Sequence, residues 1–343
     1  MKNTKIEHRR YCRLKPELQK YFPMIRTRAE VLEEIQSHPK LSGVFQNWKQ
    51  KQQEEFLDFV TGAKGVKVLY DSFFKEIMNP ETVPERLEHF LSLVLKEEVR
   101  IKCVLPTDNS RIADESSLLI MDILIELEDG SLANLEAQKV GYKFPGQRGA
   151  CYLADLLLRQ YKRVRTEKGD AFSYEDIKKV YTLILYEKSS AEFHRFPDDY
   201  IHHVSPVSDT GIKLEWAQES ILIPLDIFRL NLQNKGISSE LDAWLTFLSM
   251  DEPEIIERLI QKYPQFKPMY QQIYYICRNT EKVMELYSEE LKILDRNTVQ
   301  LMIDEMQEEL IRKDQQLELL SQQNDQQLLE IARLKKMLTG NCE

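Results

Sequence analysis

Apolar positions recur at helical spacing toward both ends of the chain and at strand spacing through its middle. Thr27 and Glu30 form a capping box at the start of one helix, Val31, Leu32 and Ile35 share its inner face, and Pro39 stops it. From Leu41 to Val60, Val44, Phe45, Trp48, Phe56, Leu57, Phe59 and Val60 predict aromatic helical packing, broken at Gly62 and Gly65. After the turn signal Asn79-Pro80, Thr82 and Glu85 suggest a second capping box for a helix to about Lys96. Its stripe is Leu87, Phe90, Leu91, Val94 and Leu95, with Glu85, Glu88 and His89 lying off it.

Strand patterns follow at Val99 to Leu105, Leu118 to Leu127 and Leu132 to Ala137. The link between the last two sets which side chains face each other. A two-residue Asp129-Gly130 loop would put Asp122 opposite Ala137, with Glu136 on the other face. A three-residue loop, Glu128-Asp129-Gly130, puts Asp122 opposite Glu136 and places Gly130 where a left-handed residue is needed. The sequence favours the second register. Gln138, two residues beyond Glu136, then shares its face.

From Gln147 to about Val164 the pattern is helical, with Arg148, Tyr152, Leu156 and Gln160 along one stripe. Lys179 to Tyr186 lacks alternation and reads as a fully buried strand, followed by loops over 190–215. A further strand at Ile221 to Leu225 carries Pro224, which places it near an edge. From Ser238 onward strands give way to helices at 241–248, 255–260, 270–287 and 291–294. Alternate steps of three and four from Ile303 then give Met306, Leu310, Lys313, Leu317, Leu320, Asn324, Gln327, Ile331, Leu334 and Leu338. That heptad, with Asn324 at a core position, fits a parallel two-stranded coil, a homodimer through residues 299–338, the competing expectation being a helix folded onto its own domain. The expected organisation is a helical extension over 1–65, an α/β core over 66–232, a helical region over 233–298 and the coil over 299–338.

Composition narrows the function. The 343 residues carry a net charge of −9 with 42% hydrophobic and 30% charged residues, which excludes a protein that coats nucleic acid along its whole surface. A local polarisation exists: between Lys139 and Lys168, eight Lys or Arg stand against Asp155 and Glu167, a balance of +6. Such a stretch could hold a phosphate backbone. The five cysteines, at 12, 103, 151, 277 and 342, form no zinc spacing and fit free thiols in a reducing cytosol. His202 and His203 are adjacent and would point apart on a strand. With no signal peptide pattern at Met1 and no run long enough for a membrane span, the expectation is a soluble cytoplasmic protein. No Walker motif, Ser/His/Asp pattern or glycine-rich dinucleotide fingerprint is present. Asp122, Glu136 and Gln138, gathered at the edge of a sheet, make a cradle for a hard cation.

In order and spacing, Asp71 with Phe74-Lys75, Phe90-Leu91, Asp122, Asp129-Gly130, Glu136-Ala137-Gln138 and Arg148 with Tyr152 resemble the PD-(D/E)XK nuclease fold. More narrowly, the chain resembles a bacterial branch of the PD-(D/E)XK family transposases and recombination-promoting nucleases, over about 66–230. The resemblance implies a restriction-endonuclease-like α/β core, a mixed sheet flanked by helices, and Mg²⁺-dependent cleavage of DNA, with Mn²⁺ as a substitute. It implies that Asp122, Glu136 and the Ala137 carbonyl ligate the metal, and that Gln138 completes the catalytic set. Met121 stands where the name-giving proline would be, and Gln138 where most nucleases of the fold have lysine. An amide supplies no positive charge, which leaves Lys139, Lys143 or Arg148 to replace it. Arg148, Tyr152, Lys139, Lys143 and Gln160 are the accessory candidates for DNA contact, with Lys75 and Glu88 behind them. The competing reading is an inactive nuclease fold serving as a DNA-binding or coiled-coil interaction module.

Overall fold

Six strands form one mixed sheet in the order β1-β2-β3-β4-β6-β5: β1 Ile101–Val104, β2 Ile123–Leu127, β3 Leu132–Gln138, β4 Val180–Tyr186, β5 His202–Val204 and β6 Gln218–Pro224. The structure, a computed structural model, describes residues 17–106, 122–139 and 145–339. β1, β2 and β3 pair antiparallel, β3, β4 and β6 pair parallel, and β5 runs antiparallel along β6. The helices are α1 Arg28–Ser37, α2 Pro39–Asn47, α3 Gln50–Val60, α4 Asp71–Ile77, α5 Pro84–Leu95, α6 Pro145–Lys168, α7 Leu225–Lys235, α8 Glu240–Ser249, α9 Pro253–Lys262, α10 Lys267–Arg278 and α11 Thr280–Thr339.

Alternation along each strand divides the work between the two faces of the sheet. Leu124, Leu132, Ile184 and Leu222 face α6 and pack on its Tyr152, Leu153 and Leu156. Ile123, Ile125, Leu135, Leu183 and Ile223 face the other way, into a larger core shared with Phe22, Phe56, Phe74, Trp244, Tyr270 and Tyr287. The N-terminal helices and the helices after the sheet therefore close over the same face. α6 covers the opposite face and is the crossover that parallel β3 and β4 require. The chain forms one compact unit as far as Ile293 and a second from Leu294. No helix among the described residues is long and apolar enough to cross a membrane.

Several sequence expectations take a different form here. The Thr27–Glu30 capping box forms, but the Thr82–Glu85 box does not. Pro84, already suited to the first helical turn, sets the start of α5, and the Thr82 hydroxyl donates to the Asn79 carbonyl instead. β6 is not an edge strand, because β5, within the stretch read as loops, pairs along it. That pairing covers only Ser220 to Leu222, so Pro224 lies past it at the strand end, where its missing N–H breaks no bond to β5. The helical signal over 270–287 is split at Asn279 between α10 and α11. The beginning of the strand expected from Leu118 lies outside the described residues.

Candidate active site

The turn between β2 and β3 fixes the site from a distance. Leu127 N donates to Ser131 O and Gly130 N donates to Leu127 O, both at 2.9 Å, which closes a loop over residues 128–130. Gly130 has φ +86°, the left-handed conformation that side chains resist. The ladder then pairs Leu124 with Asn134 and Ile123 with Leu135, and the same register carried one residue further sets Asp122 opposite Glu136. The two carboxylates bind each other's backbone reciprocally: Asp122 N donates to Glu136 Oε1 at 3.1 Å, and Ala137 N donates to Asp122 Oδ2 at 2.9 Å. In an extended strand the N–H and C=O of one residue point to the same side, so the Ala137 carbonyl faces Asp122 as well.

Each carboxylate is held by further polar groups. Asn134 Nδ2 donates to Glu136 Oε1 at 3.0 Å, and Tyr152 OH donates to Glu136 Oε2 at 3.4 Å. Arg148 donates in turn to the Tyr152 hydroxyl at 3.0 Å. Lys75 of α4 brings its Nζ to 3.2 Å from Asp122 Oδ1. Burial, with the Asp122 charge beside it, holds the Glu136 carboxyl well above the usual carboxylate range, against the lowering pull of its hydrogen bonds from Asn134 and Asp122 N–H and of Arg148. Burial, then the Glu136 charge, also raises the Tyr152 hydroxyl, which keeps it a donor.

Gln138 occupies the same face, buried at 7% exposure, and neither its amide oxygen nor its amide nitrogen has a hydrogen-bond partner among the described residues. The Tyr186 hydroxyl, on the β4 residue paired with Gln138, is buried and unpartnered in the same sense. Buried polar atoms without partners are costly, so this corner is suited to a water, an ion or a substrate oxygen. The donor set fits a hard divalent cation: two carboxylates that repel each other without one, a carbonyl turned toward them and an unengaged amide. Among the described residues no group of three or more His, Cys, Asp or Glu is placed to hold a metal ion, so such an ion would depend on the carbonyl, the amide and water to complete its shell.

The other expected residues scatter. Lys139, odd-numbered, points to the opposite face, where it pairs with buried Glu290 of α11 and lies 4.7 Å from the centre of the Tyr70 ring. Gln160 sits twelve residues along α6 from Arg148, about 18 Å by helical rise. It donates to the Gly130 carbonyl at 2.9 Å, at the turn end of the β2–β3 hairpin. Glu88 accepts from Ile101 N at 2.8 Å and pairs with Arg100 at 3.3 Å, joining α5 to β1. Lys143 lies outside the described residues. The basic stretch is also less free than its charge balance implies. Arg163 pairs with Glu126, Arg159 with Asp155 and Lys168 with Asp176. Asn134 was not legible as a site residue, although its place two residues before Glu136 puts it on the same face.

A mixed sheet with a helical crossover between parallel strands, and a carboxylate pair where β2 begins beside the end of β3, has the restriction-endonuclease-like form of the α/β class. The model of one family matches residues 68–301, and by that match the chain belongs to the PD-(D/E)XK nuclease family transposases. The match runs beyond the 66–230 covered by the short motifs, through α8, α9 and α10. No curated protein and no solved structure gives a match.

Proposed function

We propose that this protein is a divalent-cation-dependent endonuclease that hydrolyses DNA phosphodiesters at Asp122 and Glu136. The observation that carries the reading is the pair itself: two carboxylates, side by side and bound to each other's backbone, in a setting where burial and the Asp122 charge hold the Glu136 carboxyl above the usual carboxylate range. Asp122, Glu136 and the Ala137 carbonyl would hold the ion, Mg²⁺ or in its place Mn²⁺. When bound, it would acidify a water and offset charge on the scissile phosphate. Asn134 and Tyr152 orient Glu136, and the unpartnered Gln138 amide orients the water or a phosphate oxygen. Arg148, at the mouth of α6, and exposed Lys162 and Arg165 further along it offer charge to the DNA backbone.

The competing reading, a binding module on an inactive nuclease fold, draws on one observation, the neutral amide at Gln138. The two readings separate in one assay. Purified protein with Mg²⁺ should nick or linearise plasmid, and Asp122→Ala or Glu136→Ala should slow this by about 10²-fold or more while the chain stays folded. DNA retention without cutting by the parent would support the binding module. Cutting by the double variant at the parent's rate would remove the site assignment.

The same reading includes self-association through the helix beyond Leu294. Met306, Leu310, Leu317, Leu320 and Ile331, all on the heptad core positions, are exposed, as is Asn324. A second copy of this helix, parallel and in register, is the partner that this spacing fits.

A further inference from the structure

Gln138 leaves the site without the lysine that its strand would otherwise present, and the lysine next in sequence does not fill the gap. Lys139 is directed to the far face of the sheet and compensated there by Glu290. Arg148 is engaged with Tyr152, on the Glu136 side of the pair. Among the described residues, the lysine that touches the carboxylate pair comes from α4, in another part of the chain. Lys75 Nζ is 3.2 Å from Asp122 Oδ1.

Its placement is built. α4 is a short helix whose Phe73, Phe74 and Ile77 are almost fully buried in the larger core, which fixes its position against the sheet. Lys75 lies off that buried face, with a side chain 39% exposed, while the Asp122 side chain that it meets is 12% exposed. The ammonium thus stands at the boundary between the buried carboxylates and the solvent from which a polyanion would approach. A lysine stem keeps a compact point charge on a flexible arm, able to exchange a carboxylate oxygen for a phosphate oxygen without moving the backbone.

We propose that Lys75 is a catalytic cation of this active site, supplying from α4, on the Asp122 side, the charge that Gln138 cannot supply from β3. This rests on the nuclease reading above. In the proposed complex the Lys75 ammonium contacts a non-bridging oxygen of the scissile phosphate. There it stabilises the negative charge that builds as the water oxygen bonds to phosphorus and the bond to the leaving sugar oxygen breaks. Lys75 keeps its proton throughout; the proton that water loses and the one that the leaving alkoxide gains are exchanged with other groups or with solvent. Before substrate binds, the same ammonium offsets one charge of the Asp122–Glu136 pair and competes there with a divalent cation.

These two roles separate in Lys75→Gln, slower cleavage without weaker metal binding, a split that a merely structural lysine would not produce. Single-turnover cleavage with Mg²⁺ should slow by about 100-fold. Calorimetric titration with Mn²⁺ alone should show affinity equal to the parent's or higher, because a competing positive charge is gone. Lys75→Arg should retain part of the rate. Lys75→Gln combined with Gln138→Lys, which returns the charge to the strand, should regain about tenfold over Lys75→Gln alone. Circular dichroism melting confirms that each variant is folded. The inference is overturned if Lys75→Gln cuts within about threefold of the parent, an effect too small for a lost transition-state contact. Weaker Mn²⁺ binding by folded Lys75→Gln also overturns it, since the lysine would then serve to position Asp122. A parent that neither cuts DNA nor binds Mn²⁺ sinks the nuclease reading and this inference with it. A cutting parent beside an equally active Lys75→Gln sinks only the lysine.

Discussion

Glu126 and Glu136 sit on neighbouring strands, on the same face of the sheet and both buried, yet their chemistry diverges because of what stands beside each. Glu136 has Asp122 as its neighbour, so desolvation and like charge act together against ionisation. At Glu126 burial pushes the carboxyl up, but the Lys102 hydrogen bond and the Arg163 and Lys102 charges outweigh it and leave it below the usual carboxylate range. A carboxyl lowered in the folded state contributes stability above its unfolded value, near about 4.3, and loses that contribution as pH falls through the folded value. Glu126→Gln should therefore be less stable than the parent at pH 7 by about 1–2 kcal/mol, a buried-pair loss discounted for the exposed side of Lys102. In urea denaturation the gap should close once the pH is taken well below about 4. A gap unchanged at low pH would mean that packing, and not charge, is what Glu126 contributes.

At the scale of the element, the β2–β3 hairpin is the part that aligns the site, and Gly130 is the residue on which its register turns. A Cβ at this position would meet only Lys178 Cγ at 3.4 Å, so backbone conformation and not crowding opposes substitution. Gly130→Val should cost about 1–2 kcal/mol in denaturant unfolding, the penalty of a branched residue in the left-handed region. Cleavage should fall by more than that stability loss explains, because a slip of one residue turns Glu136 away from Asp122. Full activity in Gly130→Val would show that the register is held elsewhere, for example by Gln160 and Arg163, which both donate to the Gly130 carbonyl. This hairpin was legible beforehand because loop length, a glycine and side-chain parity are local quantities. β5 was not legible: three residues at a sheet edge, without an alternating pattern, gain their pairing only from β6. The Thr82–Glu85 box was misread for a related reason, since a proline two residues on competes for the same helix start.

Across the whole molecule, charge that looks local in sequence is shared over long separations. Lys139 at the end of β3 finds Glu290 in α11, and Arg163 in α6 finds Glu126 in β2. Part of the apparent basic patch is therefore internal structure, and the basic surface that remains is narrower than the count suggests. The helix from Leu294 onward carries the opposite lesson, because Met306, Leu310, Leu317, Leu320 and Ile331 on its heptad positions are exposed. If they meet a second copy, sedimentation should report a dimer for the full chain and a monomer for Leu310→Asp/Leu317→Asp, with secondary structure retained up to Ile293. A monomer in both would remove the coil as an interface.

The sequence by itself determined the α/β class, the strands other than β5, the three-residue turn and thus the pairing of Asp122 with Glu136. Periodicity, turn chemistry and parity act between near neighbours and are written in the chain. Only the tertiary structure decided which lysine stands beside Asp122. Lys139 was nearest in sequence but lies on the wrong face of a strand, whereas Lys75, 47 residues before Asp122, is carried to it by a helix anchored through Phe73 and Phe74. Long-range charge partners are chosen by packing, and no spacing rule encodes them. The carboxylate pair was legible in the chain, and Lys75 only as a candidate behind Lys139 and Arg148; its place beside Asp122 came from the fold.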